Sequence, residues 1–429
     1  MAHRKIREYD AKQLIQNYIS QNHNFPLSGK GILVTPQTNL PSLPQQHPWL
    51  LTTPLVIKPD QLFGKRGKLG LIGTNLNYQQ VQEFISNHNT EITIGNATGK
   101  LTHFLIEPYI KHKTEYYLAI SSNSRDGNNL YFSYNGGIDI EENWTSVATL
   151  FLATGTPLET EKVKEFLQMR ENVAQKIITE KEKTKIITFI QTMYTLFLEL
   201  DFTYLEFNPF TFNEQEEIII LDTVAQVDDC ASFKHPLEWK NLTFPKAFGQ
   251  TSFPEEQYIE HLNKESGASL KLTLLNPRGR IWNILSGGGA SIIYLDTIAD
   301  LGKQQEIANY GEYSGNPTTE ESYQYAKTIL DLMTRTPHPQ GKILIIGGAI
   351  ANFTDVEKTF RGIINALREY QEKLRLGKIS IFVRRGGPNY ERALQLIEQA
   401  GKEMNIPMII KSPDSPMIEI VGKAMERLQ

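Results

Sequence analysis

The sequence predicts an α/β protein in two successive parts, the second of them a doubly wound parallel sheet. From about residue 270 onward, short apolar runs alternate with amphipathic helical segments, the pattern of a parallel sheet covered on both faces. Within that region Lys342-Ile343-Leu344-Ile345-Ile346 is a continuous apolar run, as in a strand buried on both sides. Before about residue 231, strands and helices mix without that alternation. The stretch 231–256 holds His235-Pro236, Phe244-Pro245 and Phe253-Pro254 with little periodicity, and reads as the link. The expected division is 1–240, a linker at 241–256, and 257–429.

In the first part a helix over 10–20 places Leu14, Ile15, Tyr18 and Ile19 on one face. Strands are expected at 55–59, 104–108, 116–120 and 130–133 from their β-branched and aromatic content. Helices near 159–169 and 182–200 follow, then strands at 204–207 and 217–222. In the second part 270–275 and 280–285 are strands, and Gly287-Gly288-Gly289 follows them. Helices are expected near 291–301 and 320–333. A helix starting near Asp355 carries Phe360, Ile363, Ile364 and Leu367 at i, i+3, i+4 and i+7. A strand at 379–383, a helix at 389–403, a short strand at 408–410 and a helix at 416–427 complete the chain.

At roughly 150 residues per domain, 429 residues allow about three domains or two large ones. Lys+Arg is 44 against 48 for Asp+Glu, a net charge of −4, so the global basic field of a nucleic-acid binder is missing. The single cysteine, Cys230, excludes an intrachain disulfide framework and a cysteine-rich metal site, and suits a reducing cytosol. No apolar run follows the basic start at His3-Arg4-Lys5, so no secretory signal is expected. The most apolar stretch, 186–198, is short and contains Gln191, which fits a buried helix and not a bilayer span. The expectation is a soluble cytoplasmic protein, with neither nucleic acid nor membrane as partner.

Four constellations could carry chemistry. The segment 58–70 holds Lys58, Lys65, Arg66 and Lys68 with Gly64, Gly67 and Gly70, directly after a strand. Glycines let backbone N–H groups approach phosphate oxygens and the cations neutralise them; a solvated basic hairpin turn is the alternative. Glu206-Phe207-Asn208-Pro209 and Asp222 sit at expected strand ends. A carboxylate and an amide oxygen suit Mg²⁺, and turn residues closing a hairpin are the alternative.

Ser286-Gly287-Gly288-Gly289-Ala290-Ser291 joins a strand to a helix, where free N–H groups form an anion site or merely a tight turn. Asn352 and Thr354 follow the buried strand at the C-terminal sheet edge. Thr354 also reads as a helix N-cap, with Glu357 completing a capping box. Finally, Arg384-Arg385-Gly386-Gly387-Pro388-Asn389 ends another buried strand. Two guanidiniums there fit a carboxylate or phosphate ligand, or structural ion pairs. A nucleotide–Mg²⁺ part beside a polyanion-binding part fits activation of a carboxylate as an acyl phosphate.

These stretches resemble the citrate- and ATP-binding subunits of two-subunit ATP-citrate lyase, over essentially the whole chain. The resemblance is carried by Val56-Ile57-Lys58-Pro59-Asp60-Gln61-Leu62, Lys65-Arg66-Gly67-Lys68-Leu69-Gly70, Ser266-Gly267-Ala268, Leu275-Asn276-Pro277-Arg278-Gly279-Arg280, Tyr313-Ser314-Gly315, Ile350-Ala351-Asn352-Phe353-Thr354-Asp355 and Phe382-Val383-Arg384-Arg385-Gly386-Gly387-Pro388. It implies an N-terminal ATP-grasp domain of two lobes, then a flavodoxin-like citrate-binding domain. It implies that Lys58, Arg66, Gly67, Pro108, Ile110 and Glu115 bind ATP and that Asn208 and Asp222 hold Mg²⁺. Gly288, Gly289, Ala290, Ser291, Gly315, Asn352, Thr354, Tyr370 and Arg385 would bind citrate. A secondary metal position near the Ser266 turn is a carboxylate in some members and Asn263 here, so no metal is expected there.

The resemblance further implies a phosphohistidine relay. None of the nine histidines, at 3, 23, 47, 88, 103, 112, 235, 261 and 338, lies in the family's Gly-His-Ala-Gly-Ala setting. The expectation is therefore a second subunit carrying that histidine, the citryl-CoA lyase domain and most of the CoA site, in a hetero-oligomer, with a hetero-octamer as the expected assembly. The β subunit of a citryl-CoA or succinyl-CoA synthetase, and a non-catalytic citrate/ATP sensor, are the rival readings.

Overall fold

A computed structural model describes residues 3–22, 25, 27, 29–123, 126–137, 140, 144–174, 178–250 and 253–428. His23 and the linker residues Thr251 and Ser252 lie outside the described residues. The chain forms two compact units, Met1–Thr251 and Ser252–Gln429. No helix among the described residues is long and apolar enough to cross a membrane.

The first unit runs β1 (His3–Ile6), α1 (Glu8–Asn22), β2 (Ile32–Val34), α2 (Leu43–Gln46), β3 (Leu55–Pro59), β4 (Gly73–Leu76), α3 (Tyr78–His88), β5 (Glu91–Ile94), β6 (Ala97–Lys100), β7 (Phe104–Pro108), β8 (Tyr116–Asn123), β9 (Gly127–Ser133), β10 (Ala148–Ala153), α4 (Thr160–Ala174), α5 (Glu180–Glu199), β11 (Phe202–Phe212), β12 (Ile218–Ile220) and β13 (Thr223–Asp228). An antiparallel sheet has the order β1-β13-β11-β8-β9-β10, with β12 added on β11. Its core joins Ile15, Ile190, Met193 and Phe197 of the helices to Leu118, Phe132, Leu205 and Phe207 of the strands. A second antiparallel sheet, β2-β7-β3-β4, packs Ile57 and Ile106 against Val81 and Ile85 of α3.

The strand expected at 204–207 does not end before Asn208. β11 continues through Asn208 and Pro209, with a register slip between Phe207 and Phe210 where β12 becomes its partner. Asn208 therefore sits at a bulge inside a strand.

The second unit runs α6 (Pro254–Glu265), β14 (Ser269–Leu274), β15 (Ile281–Ser286), α7 (Gly288–Asp300), β16 (Asn309–Ser314), α8 (Thr319–Arg335), β17 (Ile343–Gly348), α9 (Val356–Glu369), α10 (Gln371–Leu376), β18 (Ser380–Arg384), α11 (Tyr390–Met404), β19 (Met408–Lys411) and α12 (Met417–Glu426). The strand order is β14-β16-β15-β17-β18-β19. β16 to β19 are parallel to β15 or to one another, and only the edge strand β14 is antiparallel.

The alternation along the strands explains the double winding. Trp282, Ile284, Leu344 and Ile346 face one core with Ile329, Phe360 and Ile363 of α8 and α9. Their neighbours Ile281, Leu285, Ile343 and Ile345 face another with Tyr294, Ile298, Ile420 and Val421 of α7 and α12. Leaving the antiparallel edge aside, β15 is flanked by the next two parallel strands, β16 and β17. The chain thus reverses direction across the sheet at β15, and ligands of open α/β sheets bind at such a point.

Candidate functional sites

In the first unit, Lys58 closes β3 and is 3% exposed. Its ammonium donates to Glu8 Oε1 at 2.6 Å and to the Leu221 carbonyl at 2.6 Å, and lies 3.1 Å from Glu107 Oε2. Arg66, 8% exposed, donates to the Pro59 carbonyl (2.9 Å), Glu8 Oε2 (2.7 Å) and Asp222 Oδ1 (2.5 Å). The 58–70 segment does connect two antiparallel strands, β3 and β4, but Arg66 is turned into the protein and the loop is more than a solvated turn. Lys12 on α1 bridges Glu8 and Glu107 at 2.7 Å each.

The shared partner, Glu8, opens α1. Asp60 holds that helix start: its two oxygens accept from the Glu8 and Tyr9 backbone N–H groups at 2.9 and 3.0 Å. These are first-turn donors that no helical carbonyl can reach. Burial would raise the Glu8 carboxyl, but Lys12, Lys58 and Arg66 outweigh it and hold it well below the usual carboxylate range. Asp60 moves the other way: burial, and then the Glu8 charge, push it up to about 6. Burial works against the charge on Lys58 as well, yet Glu107 and Glu8 hold its ammonium protonated far above the usual range.

Of the other residues expected at the nucleotide, Asn208 contacts this cluster directly and Glu115 adjoins it through Gly137. Asn208 N–H donates to the Asp222 carbonyl (3.1 Å), and Asn208 Oδ1 accepts from Gly137 N–H (2.8 Å). Gly137 has φ +96°, a backbone conformation that favours glycine, and it lies against the Glu115 carboxylate. Glu115 is bridged to the Ile110 carbonyl by the His112 ring, at 3.0 and 2.8 Å. Pro108 ends β7, and Gly67 lies one residue beyond Arg66. A narrow cleft lined by Tyr9, Lys12, Gln13, Lys30, Gly31, Leu105, Glu107 and Ile220 runs along this assembly.

Asp222 and Asn208, joined through a backbone hydrogen bond, offer a carboxylate and an amide oxygen, donor types that suit Mg²⁺. Glu206, grouped with them by sequence, accepts instead from the Tyr204 hydroxyl. Glu8, Lys12, Asp60 and Glu107 were not expected at the site. The one signal for them was the cation-rich segment itself, since buried cations require buried acids.

In the second unit, β15 and β17 end in register at Ser286 and Gly348, and the residues after β18 reach the same edge. Arg385 is 2% exposed. It donates to the Ser286 hydroxyl at 2.8 Å and to the Ala349 carbonyl, while its buried Nε has no partner. Arg384 is used differently: it donates to the carbonyls of Ser415, Gly348 and Pro413 at 3.1, 2.9 and 2.8 Å. The two arginines are therefore not a pair. One pins loops, and the other stands at the edge with a free donor.

Gly348 has φ +155°, and a Cβ there would come within 2.9 Å of the Ser286 Cβ and 3.1 Å of Arg385 Nη1. Thr354 is buried and Asn352 exposed on the loop after β17. Thr354 is not the cap of α9. Asp355 is, accepting from Lys358 N–H at 3.0 Å, and Glu357 pairs with Arg361. Gly315, φ +76°, sits 3.1 Å from the Ala268 Cα by its would-be Cβ.

The first turn of α7 presents Gly288, Gly289 and Ala290 near that edge. Ser291 is turned inward: it is fully buried and its hydroxyl lies 3.0 and 3.1 Å from the Gly287 and Gly311 carbonyls. The buried Glu312 lies against Gly288, paired with Lys271 at 2.9 Å and accepting from Tyr310 at 2.8 Å. Tyr370 is not brought to this edge. It caps the C-terminal end of α9, about 21 Å of helix away from Thr354, with its hydroxyl donating to Asp331 at 3.3 Å. Asn263, at the position of the secondary metal, accepts from Leu270 N–H at 2.7 Å and so serves the backbone.

Two antiparallel sheets around a cation-lined cleft, followed by a flavodoxin-like sheet with an arginine at its switch point, define an ATP-grasp domain joined to an acid-binding domain. The family description "ATP-citrate synthase ATP-grasp domain" matches residues 2–239, and "ATP citrate lyase citrate-binding" matches residues 250–427. The chain belongs to the ATP-citrate synthase family. It is 43% identical to the ATP-citrate synthase alpha chain protein 2 of Oryza sativa subsp. japonica, covering 99% of both chains. It is 44% identical to ATP-citrate synthase of Mus musculus over 99% of its own length, but spans only 38% of that protein. Its structure matches the ATP citrate lyase of Methanothrix soehngenii, solved in complex with citrate and coenzyme A, with a TM-score of 0.86 and 44% identity, covering 99% of this chain and 100% of that one.

Proposed function

We propose that this chain is the ATP- and citrate-binding subunit of a cytoplasmic ATP-citrate lyase, completed in a hetero-oligomer by a second subunit with the phosphohistidine, most of the CoA site and the citryl-CoA cleavage domain. The observation that carries this is one of coverage: the chain matches a plant alpha chain end to end and only 38% of the animal protein.

In this reading Lys58 and Arg66 neutralise nucleotide phosphates, with Pro108, Ile110 and Glu115 about the base and ribose. Asn208 and Asp222 would hold Mg²⁺, which supplies further charge neutralisation at the phosphates. Arg385 clamps a citrate carboxylate, and Asn352 and Thr354 take the hydroxyl or a second carboxylate. The γ-phosphoryl group passes from ATP to the partner's histidine, releasing ADP, and from there to a citrate carboxylate. The CoA thiol then displaces phosphate to give citryl-CoA, which is cleaved to acetyl-CoA and oxaloacetate. Catalysis on this chain is positioning and charge neutralisation. Calorimetric titration of the purified chain is expected to give one saturable site each for citrate and Mg-ATP. Failure of either to bind contradicts the assignment.

A further inference from the structure

We propose that the second unit carries another anion site, at the N-terminal edge of its sheet, built around Lys342 and fitted to a phosphate group. It lies at the opposite end of β17 from Arg385, about 20 Å away along the strand. The pocket encloses about 120 Å³, several times the room one water needs. Its lining includes Met333, Pro337, His338, Lys342, Lys373 and Leu376.

Lys342 is 3% exposed. One of its three N–H groups donates to the Met333 carbonyl in the last turn of α8, at 2.8 Å. The ammonium also stands 5.6 Å from the centre of the Trp282 ring. Among the described residues no carboxylate pairs with it. Other buried cations are provided for: Lys58 and Arg66 reach Glu8, and Arg384 reaches three carbonyls. Burial without a counter-charge lowers the Lys342 pKa from its ordinary value.

The pocket lining adds positive charge and holds no carboxylate. Lys373 stands 4.9 Å over the Tyr370 ring, and Lys378 donates to the Pro339 carbonyl at 3.3 Å. Neither has an ion pair among the described residues. Asp331 and Glu369, on the neighbouring helices, are held by Arg335 and Lys327. A tetrahedral dianion can accept from several lysines approaching from different directions, and it would supply the charge that Lys342 lacks. Pro337 and Leu376, which is 81% exposed, give the mouth an apolar rim that suits the organic part of a phosphate ester.

The test is calorimetric titration of the full chain, saturated with citrate, with inorganic phosphate and with phenyl phosphate. Phosphate is expected to bind the wild type and Arg385→Ala alike, and to bind Lys342→Met at least about tenfold more weakly, the loss of one charge-assisted contact. Tighter binding of the phenyl ester assigns the site to phosphate monoesters, and equal binding assigns it to free phosphate. Undiminished binding by Lys342→Met, or no binding by the wild type at millimolar phosphate, overturns the proposal. Should Lys342→Met fail to fold, the exposed pair Lys373→Ala/Lys378→Ala must weaken phosphate binding severalfold. An unchanged affinity in that variant overturns the proposal equally.

Discussion

Arg385→Ala is expected to weaken citrate binding by about a hundredfold or more while leaving Mg-ATP binding within about twofold. The guanidinium is buried at the switch point, held by the Ser286 hydroxyl and the Ala349 carbonyl, with its Nε unpaired. A carboxylate arriving there gains charge-assisted bonds from a donor set that is already oriented, so little ordering remains to be done on binding. Arg385→Lys keeps the charge but cannot span both anchors, and is expected to lose most of the same affinity. The measurement is parallel titration of both ligands into each variant. Equal loss of citrate and ATP binding would remove Arg385 from the citrate site.

Glu8→Ala is expected to destabilise the first unit by about 3–5 kcal/mol, the cost of leaving buried cations without their partner. Glu8 reaches Lys12, Lys58 and Arg66, and although Glu107 and Asp222 share the load, among the described residues no other carboxylate pairs with all three. Because its folded pKa is depressed, the Glu8 contribution is complete above its ordinary carboxylate value near 4.3 and is lost as pH falls through the depressed value. Wild type and variant should therefore differ by a constant amount from about pH 7 upward, where Asp60 is ionised in both, and converge only in strong acid. Urea denaturation of the first unit measures this, with citrate titration verifying that the second unit stays folded. Equal stability of the two proteins at pH 7 would contradict the cluster's role.

The same residues show what a linear reading can and cannot see. Ile343 to Ile346 announce a two-faced strand because each residue has a core to fill, and the structure splits them between two cores. The strand Asn309–Ser314 carries no such pattern. Asn309 is buried by hydrogen bonds with Asn283 and Glu312 by its pairing with Lys271, so the strand is buried through partners and not through apolar side chains.

Lys58 and Arg66 stand out in the sequence by their spacing with glycine, and the structure buries both in one charged cluster. Glu8 does not stand out, since 50 residues separate it from Lys58 and its place on α1 looks like an ordinary polar position. The N-cap of α9 and the direction of the Ser291 hydroxyl escape a linear reading for a more local reason. Capping falls to Asp355, one residue later, and the α7 turn points the Ser291 hydroxyl at backbone carbonyls. Tyr370 entered by likeness alone, and the length of α9 separates it from the edge where Asn352, Thr354 and Arg385 gather.

The central claim is that this chain binds and activates but does not complete the reaction. The most direct measurement is acetyl-CoA release from citrate, ATP and CoA, first by the purified chain and then after adding a second subunit that carries the phosphohistidine. No release is expected from the chain alone, and ATP- and CoA-dependent release is expected once the partner is present. Turnover by the chain alone, or none with the partner, would contradict it.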